Sequence, residues 1–175
     1  MFELIQVVLY TCPMNKWNAD PSKTHSLADA TDAWISVVRA YQQCTATLAH
    51  KLEPYGVSVL QHEVLMNLRR TPGLTQQHLS ERCFSAKSGI SMIVAKMVKD
   101  GIVVRARSER DHRAWNLSLT AQGDALAAKI QVVQDEVVQA MAASYSEQDL
   151  KLMKDRMDHS AEALLAMRIG DAGQM

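Results

Sequence analysis

The sequence is poor in the features that mark secreted, membrane-bound or catalytic chains. Its three cysteines, Cys12, Cys44 and Cys83, are odd in number and widely spaced. No two form a C-x-x-C pair, which argues against a zinc knuckle, a thioredoxin-like motif and a disulfide framework. Reduced thiols in a cytoplasmic protein are the plain expectation. Long hydrophobic runs are also missing. The one apolar stretch of note, Phe2 to Tyr10, contains Glu3 and Gln6 and falls far short of the roughly 20 residues of a membrane span. No Lys or Arg precedes Lys16, so the stretch lacks the basic lead of a signal peptide. It reads as a short amphipathic arm, or as an over-extended reading frame that truly starts at Met14; neither a membrane partner nor export is expected. Neither sign of charge dominates. Lys plus Arg is 19 and Asp plus Glu is 19, a net charge of zero, which excludes a supercharged nucleic-acid tail and an acidic disordered chain. No P-loop, G-x-S-x-G, H-E-x-x-H or paired-carboxylate motif occurs, so no enzyme and no cofactor is expected. The histidines show no metal-type spacing. His62-Glu63 comes nearest to a ligand pair and is expected to be a polar helix face or pocket wall, with no metal.

Proline is confined to the first 72 residues, at Pro13, Pro21, Pro54 and Pro72. Everything after it is free to form long uninterrupted helices. Residues 1–25 form an arm and polar lead-in. Residues 26–52 read as one helix, with Leu27, Ala30, Trp34, Val38, Tyr41, Thr45, Leu48 and Leu52 on one face. Ser26 caps it, and Pro54 with Gly56 ends it. Ser58 followed by Gln61 is a capping box for a second helix over 58–69, stopped by Pro72-Gly73. Thr75 caps a short third helix. Ser85 caps a fourth, which ends at Gly101 in a glycine C-cap. Its apolar stripe is Ile90, Ile93, Val94 and Met97; its polar face carries Lys87, Ser88, Ser91, Lys96 and Lys99.

The period then changes from helical to alternating. Residues 102–107 and 114–119 are two strand-like runs around a charged tip, Ser108 to Arg113, and form a hairpin. Two long helices follow, the first capped by Thr120 and the second starting at Ser146 with Asp149. Residues 169–175 are expected to fray. With 175 residues, the chain is one domain or one domain with helical extensions. The expected fold is mainly α, a winged helix-turn-helix head over 58–119 between long helices at 26–57 and 120–168. Such a head presents one helix to the major groove of B-DNA, which is wide enough to admit it.

Charge supports that reading. Between Arg69 and Arg113 there are ten basic residues and four acids, a surplus of six, balanced by a deficit elsewhere. A neutral chain that concentrates positive charge in one segment fits a DNA binder, since phosphate neutralisation supplies much of the affinity.

The run from Leu74 to Leu126 resembles the MarR family of bacterial transcription regulators. Leu74-Thr75 matches the family's helix start, Gly101 the close of its recognition helix, and Asp111-His112-Arg113 its wing tip, followed by Leu119-Thr120 and Gly123. The resemblance implies a homodimer interlocked through its terminal helices, reading a pseudo-palindromic operator in double-stranded DNA. That suits three long helices whose apolar stripes cannot all hide against one small head. It also implies that Arg113 enters the minor groove with Asp111 bracing its guanidinium. Ser85, Lys87, Ser88 and Ser91 would face the major groove or its phosphates. Met92, Lys96, Arg107, Arg110 and His112 complete the expected contact set. His112 departs from the basic residue usual at that place and could make binding mildly pH-sensitive. Gly89 and Met92 depart from the hydroxyl and polar types common on this helix. Gly89 reads either as a close approach to DNA or as packing.

The resemblance further implies a cavity for small aromatic acids, with Trp34, Tyr41, His62 and Met66 as its wall; ordinary core packing is the alternative for these four. The expected function is a homodimeric repressor released by such a ligand. A thiol-based redox switch through Cys44 or Cys83 is the second reading, and a winged-helix protein-interaction module without DNA binding the third.

Overall fold

The computed structural model describes residues 25–83, 87–107 and 115–172. The elements are α1 (Leu27–Leu52), a single 3₁₀ turn at Glu53–Tyr55, α2 (Val59–Arg70), β1 (Leu74–Thr75) and α3 (Gln76–Arg82). They continue with α4 (Lys87–Lys99), β2 (Val103–Arg107), β3 (Trp115–Leu119), α5 (Ala121–Ala142) and α6 (Glu147–Ala172). This is the mainly helical winged-helix architecture with flanking helices expected from the sequence.

Most element ends are set locally. Ser26 Oγ accepts the Asp29 N–H at 3.0 Å. Ser58 Oγ accepts the Gln61 N–H at 3.2 Å while the Gln61 side chain accepts the Ser58 N–H at 2.9 Å, a closed capping box. Thr75 Oγ1 accepts from His78 N–H at 3.2 Å. Gly101, at φ 72°, lets Ile102 N–H reach back to Met97 O at 2.9 Å, which satisfies a carbonyl left open at the end of α4. At the start of α6, Asp149 accepts the Ser146 N–H at 3.0 Å and Ser146 Oγ accepts the Asp149 N–H at 3.2 Å.

The sheet has three strands in the order β1-β3-β2, all antiparallel. The sequence points only to the β2–β3 hairpin. β1 is two residues long, too short to show a period, and pairs Leu74 with Leu117 and Thr75 with Asn116.

Two compact units divide the chain, residues 37–141 and the residues flanking them. Within 37–141 the core joins Leu52 from α1, Leu65 and Leu68 from α2, Leu79 from α3, Ile90 and Val94 from α4, Leu117 from β3 and Ile130 from α5, all fully buried. Each such side chain contributes about 1.5–3 kcal/mol by leaving water. The stripe on α1 behaves differently along its length. Leu48 and Leu52 are buried, whereas Leu27, Trp34 and Tyr41 are 83%, 64% and 66% exposed. Along α6, no residue with a described side chain is buried, and Leu152, Met153, Met157, Leu164 and Met167 are exposed. Among the described residues, no helix is long and apolar enough to cross a membrane.

Candidate nucleic-acid interface

Ile90, Val94 and Met97 hold α4 against the core at 0%, 0% and 2% exposure. Steps of three and four then leave Ser91, Met92, Ala95, Lys96 and Lys99 exposed along the opposite stripe. Gly89 belongs to the inner side. A β-carbon there would meet only the Leu60 side chain of α2 at 3.5 Å, an ordinary contact, so packing within the head does not require a glycine at this position.

α4 is tied to the sheet by a polar chain. Gln76, the first residue of α3, donates through Nε2 to Ser91 Oγ at 3.2 Å. Its amide oxygen accepts from an Arg105 guanidinium nitrogen at 3.4 Å. One amide thus links the outward helix to the wing strand. Arg105 stands opposite Leu117 and Arg107 opposite Trp115, on the sheet face that begins with the Val103–Leu119 pair. That face therefore runs from buried aliphatics to two guanidiniums. The Arg107 guanidinium carbon lies 5.3 Å from the centre of the Trp115 ring, a cation–π distance.

In the basic segment Lys96 pairs with Asp100 at 2.6 Å and Arg69 with Asp124 at 3.6 Å. All four groups are at least partly solvated, so these pairs contribute little stability and exchange readily for phosphates.

Of the expected contact residues, Ser91, Met92 and Lys96 share the exposed stripe of α4, and Arg107 is exposed on β2. Lys87 and Ser88 open α4, with side chains outside the described part. Ser85, Arg110, Asp111, His112 and Arg113 lie outside the described residues. Sequence reasoning missed Gln76 and left Arg105 out of the contact set. The signal for Arg105 was its place two residues before Arg107, hence on the same strand face. Nothing local marks Gln76, because its two partners are 15 and 29 residues away.

The four residues read as a cavity wall differ in surroundings. Trp34 and Tyr41 are exposed, whereas His62 and Met66 are 8% and 9% exposed and belong to the buried side of α2. His62 is therefore not on a polar helix face. Its Nε2 lies 2.8 Å from the Gln134 amide oxygen of α5 and donates to it. Burial holds its pKa below the usual imidazole value, against the smaller opposing effect of that hydrogen bond. Its Nδ1 is buried with no hydrogen-bond partner among the described residues.

Cys83 is 7% exposed, with Asn67 Nδ2 at 3.9 Å from its sulfur. Burial, with a smaller push from nearby Glu63, raises its pKa to about 12. Almost no thiolate exists at neutral pH, and the thiolate is the reactive form. This geometry weighs against a redox switch at Cys83. Mass spectrometry after iodoacetamide treatment at neutral pH should find Cys83 unmodified in the folded protein and alkylated in denaturant; rapid labelling of the native chain would refute the assignment. Cys44 is half-buried beside the core.

The MarR family model matches residues 55–114. The transcriptional regulator HosA of Escherichia coli O127:H6 is 30% identical over 130 residues, covering 72% of this chain and 95% of HosA. Uncharacterised HTH-type transcriptional regulators of the Bacillus cereus strains are 29% identical over 92 residues; the match spans 53% of this chain and only 60% of their own length. Among solved structures, a mutant MarR from Escherichia coli complexed with operator DNA superposes with a TM-score of 0.66 at 17% identity, over 78% of this chain and 99% of that one. NadR in complex with 4-hydroxyphenylacetate gives 0.65 at 22% identity, over 79% and 95%. At such identities these two are likenesses of fold.

Proposed function

The chain belongs to the MarR family, and from that we propose that it is a DNA-binding regulator that works as a homodimeric repressor, released from a pseudo-palindromic operator by a small aromatic ligand. The observation that carries this reading is the outward stripe of α4 beside the Arg105–Arg107 face of the sheet. α4 enters the major groove, with Ser85, Lys87, Ser88, Ser91, Met92 and Lys96 toward bases or phosphates. Arg107 and the tip residues Arg110, Asp111, His112 and Arg113 reach the neighbouring backbone and minor groove. Two heads related by a two-fold axis then address half-sites about 34–36 Å apart.

What supports the dimer is the exposed apolar surface of α6 and of the first part of α1. Helices of that length gain most of their stability from covering an apolar face. A second copy of the same chain supplies that cover. What supports a ligand is His62: an aromatic ligand whose hydroxyl donates to Nδ1, which has no partner among the described residues, would satisfy a buried acceptor whose unmet hydrogen bond costs about 1–3 kcal/mol. Tyr41 and Met66 are the further contacts proposed. A ligand that binds better to one separation of the heads shifts the population toward it and away from DNA.

Sedimentation of the full chain with the promoter fragment upstream of its gene tests this reading. Free protein should sediment at twice its 19.5 kDa chain mass, and the complex should contain two chains per operator. A 19.5 kDa monomer, or no preference for the promoter fragment over a scrambled duplex, would remove the reading.

A further inference from the structure

Met92 is 73% exposed in the middle of the α4 stripe. It is the one large apolar side chain exposed there, with Ala95 one turn on and Ser91 and Lys96 beside it. Ser91 already accepts the Gln76 amide, and Lys96, in an exposed pair with Asp100, exchanges that partner for a phosphate rather than a base edge. The side chain of this turn left without a polar commitment is the thioether. The surrounding segment carries a surplus of six positive charges, so the surface matches a polyanion rather than an apolar protein patch. In the major groove one base presents an apolar group to such a side chain, thymine through its C5 methyl.

We propose that Met92 is a specificity-determining residue that covers a thymine C5 methyl group in each half-site, so that the operator carries an A·T pair with its thymine beneath this turn of α4. The inference rests on the DNA-binding reading above and adds to it which base edge this helix recognises. Met suits the task because its unbranched, polarizable chain adapts to a contact of this size. Ala95 extends the apolar surface along the helix axis toward the next base pair.

The test begins with the full chain and a random duplex pool, from which bound sequences are selected. Each thymine of the selected duplex is then replaced singly by deoxyuridine, which removes the methyl and keeps every hydrogen bond of the pair. One thymine per half-site is expected to lose about fourfold in affinity on replacement, the amount a single buried methyl group supplies. M92A should bind thymine and uracil duplexes equally at that position, and M92L, still apolar, should retain the preference. Uracil tolerated at every position, or a thymine preference unchanged in M92A, would overturn the proposal while leaving DNA binding intact. Failure to enrich any sequence from the pool would instead remove the DNA-binding reading, and this inference with it.

Discussion

Gly123→Ala is expected to lower folding stability by about 3 kcal/mol, the sum of an overpacked contact and a disrupted helix cap. Gly123 lies in the first turn of α5, its N–H donating to Thr120 Oγ1 at 3.0 Å. An alanine β-carbon there would stand 2.1 Å from the Ile102 carbonyl oxygen and 3.0 Å from its carbon. The obstruction is backbone, so no rotamer change relieves it. The same oxygen accepts the Thr120 N–H at 3.0 Å, and Thr120 Oγ1 donates to Gly101 O at 2.7 Å. Pushing Ile102 aside therefore loosens the end of α4, the start of β2 and the cap of α5 together. Urea unfolding followed by circular dichroism would measure the loss. Gly89→Ala is the control, since its β-carbon meets only the Leu60 side chain at 3.5 Å; it should be neutral or stabilising by up to about 1 kcal/mol. Equal stability of the Gly123 variant and the parent would contradict the geometry of this junction.

Salt should move operator affinity further than any single substitution. Each head concentrates a surplus of six positive charges between Arg69 and Arg113, in a chain whose net charge is zero. If a pair of heads neutralises about six to ten phosphates, affinity falls about 10³–10⁵-fold between about 50 and 200 mM salt. The Lys96–Asp100 and Arg69–Asp124 pairs do not prevent this, because exposed pairs open at small cost. Fluorescence anisotropy of a labelled operator, titrated at several salt concentrations, gives the slope directly. A slope near zero would mean that the basic segment does not face phosphate. The zero net charge makes the experiment informative, since bulk attraction of a cationic protein cannot mimic the result.

The parts of the fold that could be read along the chain are those whose partners are near in sequence. The capping box of Ser58 and Gln61, the caps at Thr75 and Ser146, and the left-handed Gly101 each involve groups a few residues apart, and all are present. The exposed stripe of α4 follows from the same logic, because helical period alone separates Ile90, Val94 and Met97 from Ser91, Met92 and Lys96. β1 escaped notice because two residues carry no period. The Gln76 amide escaped notice because neither Ser91 nor Arg105 is its neighbour in sequence.

Residue order alone determined where most of the described helices start, which face of each is apolar, and that positive charge gathers in one segment, since these depend on local backbone chemistry and on counting; the last helix, expected to fray from residue 169, continues to Ala172. Only the tertiary structure decided that His62 is buried against Gln134 rather than displayed, that Cys83 is too enclosed to ionise, and that Gly123 rather than Gly89 tolerates no side chain. Burial and close approach are set by whatever packs across from a residue, and periodicity holds no information about that partner.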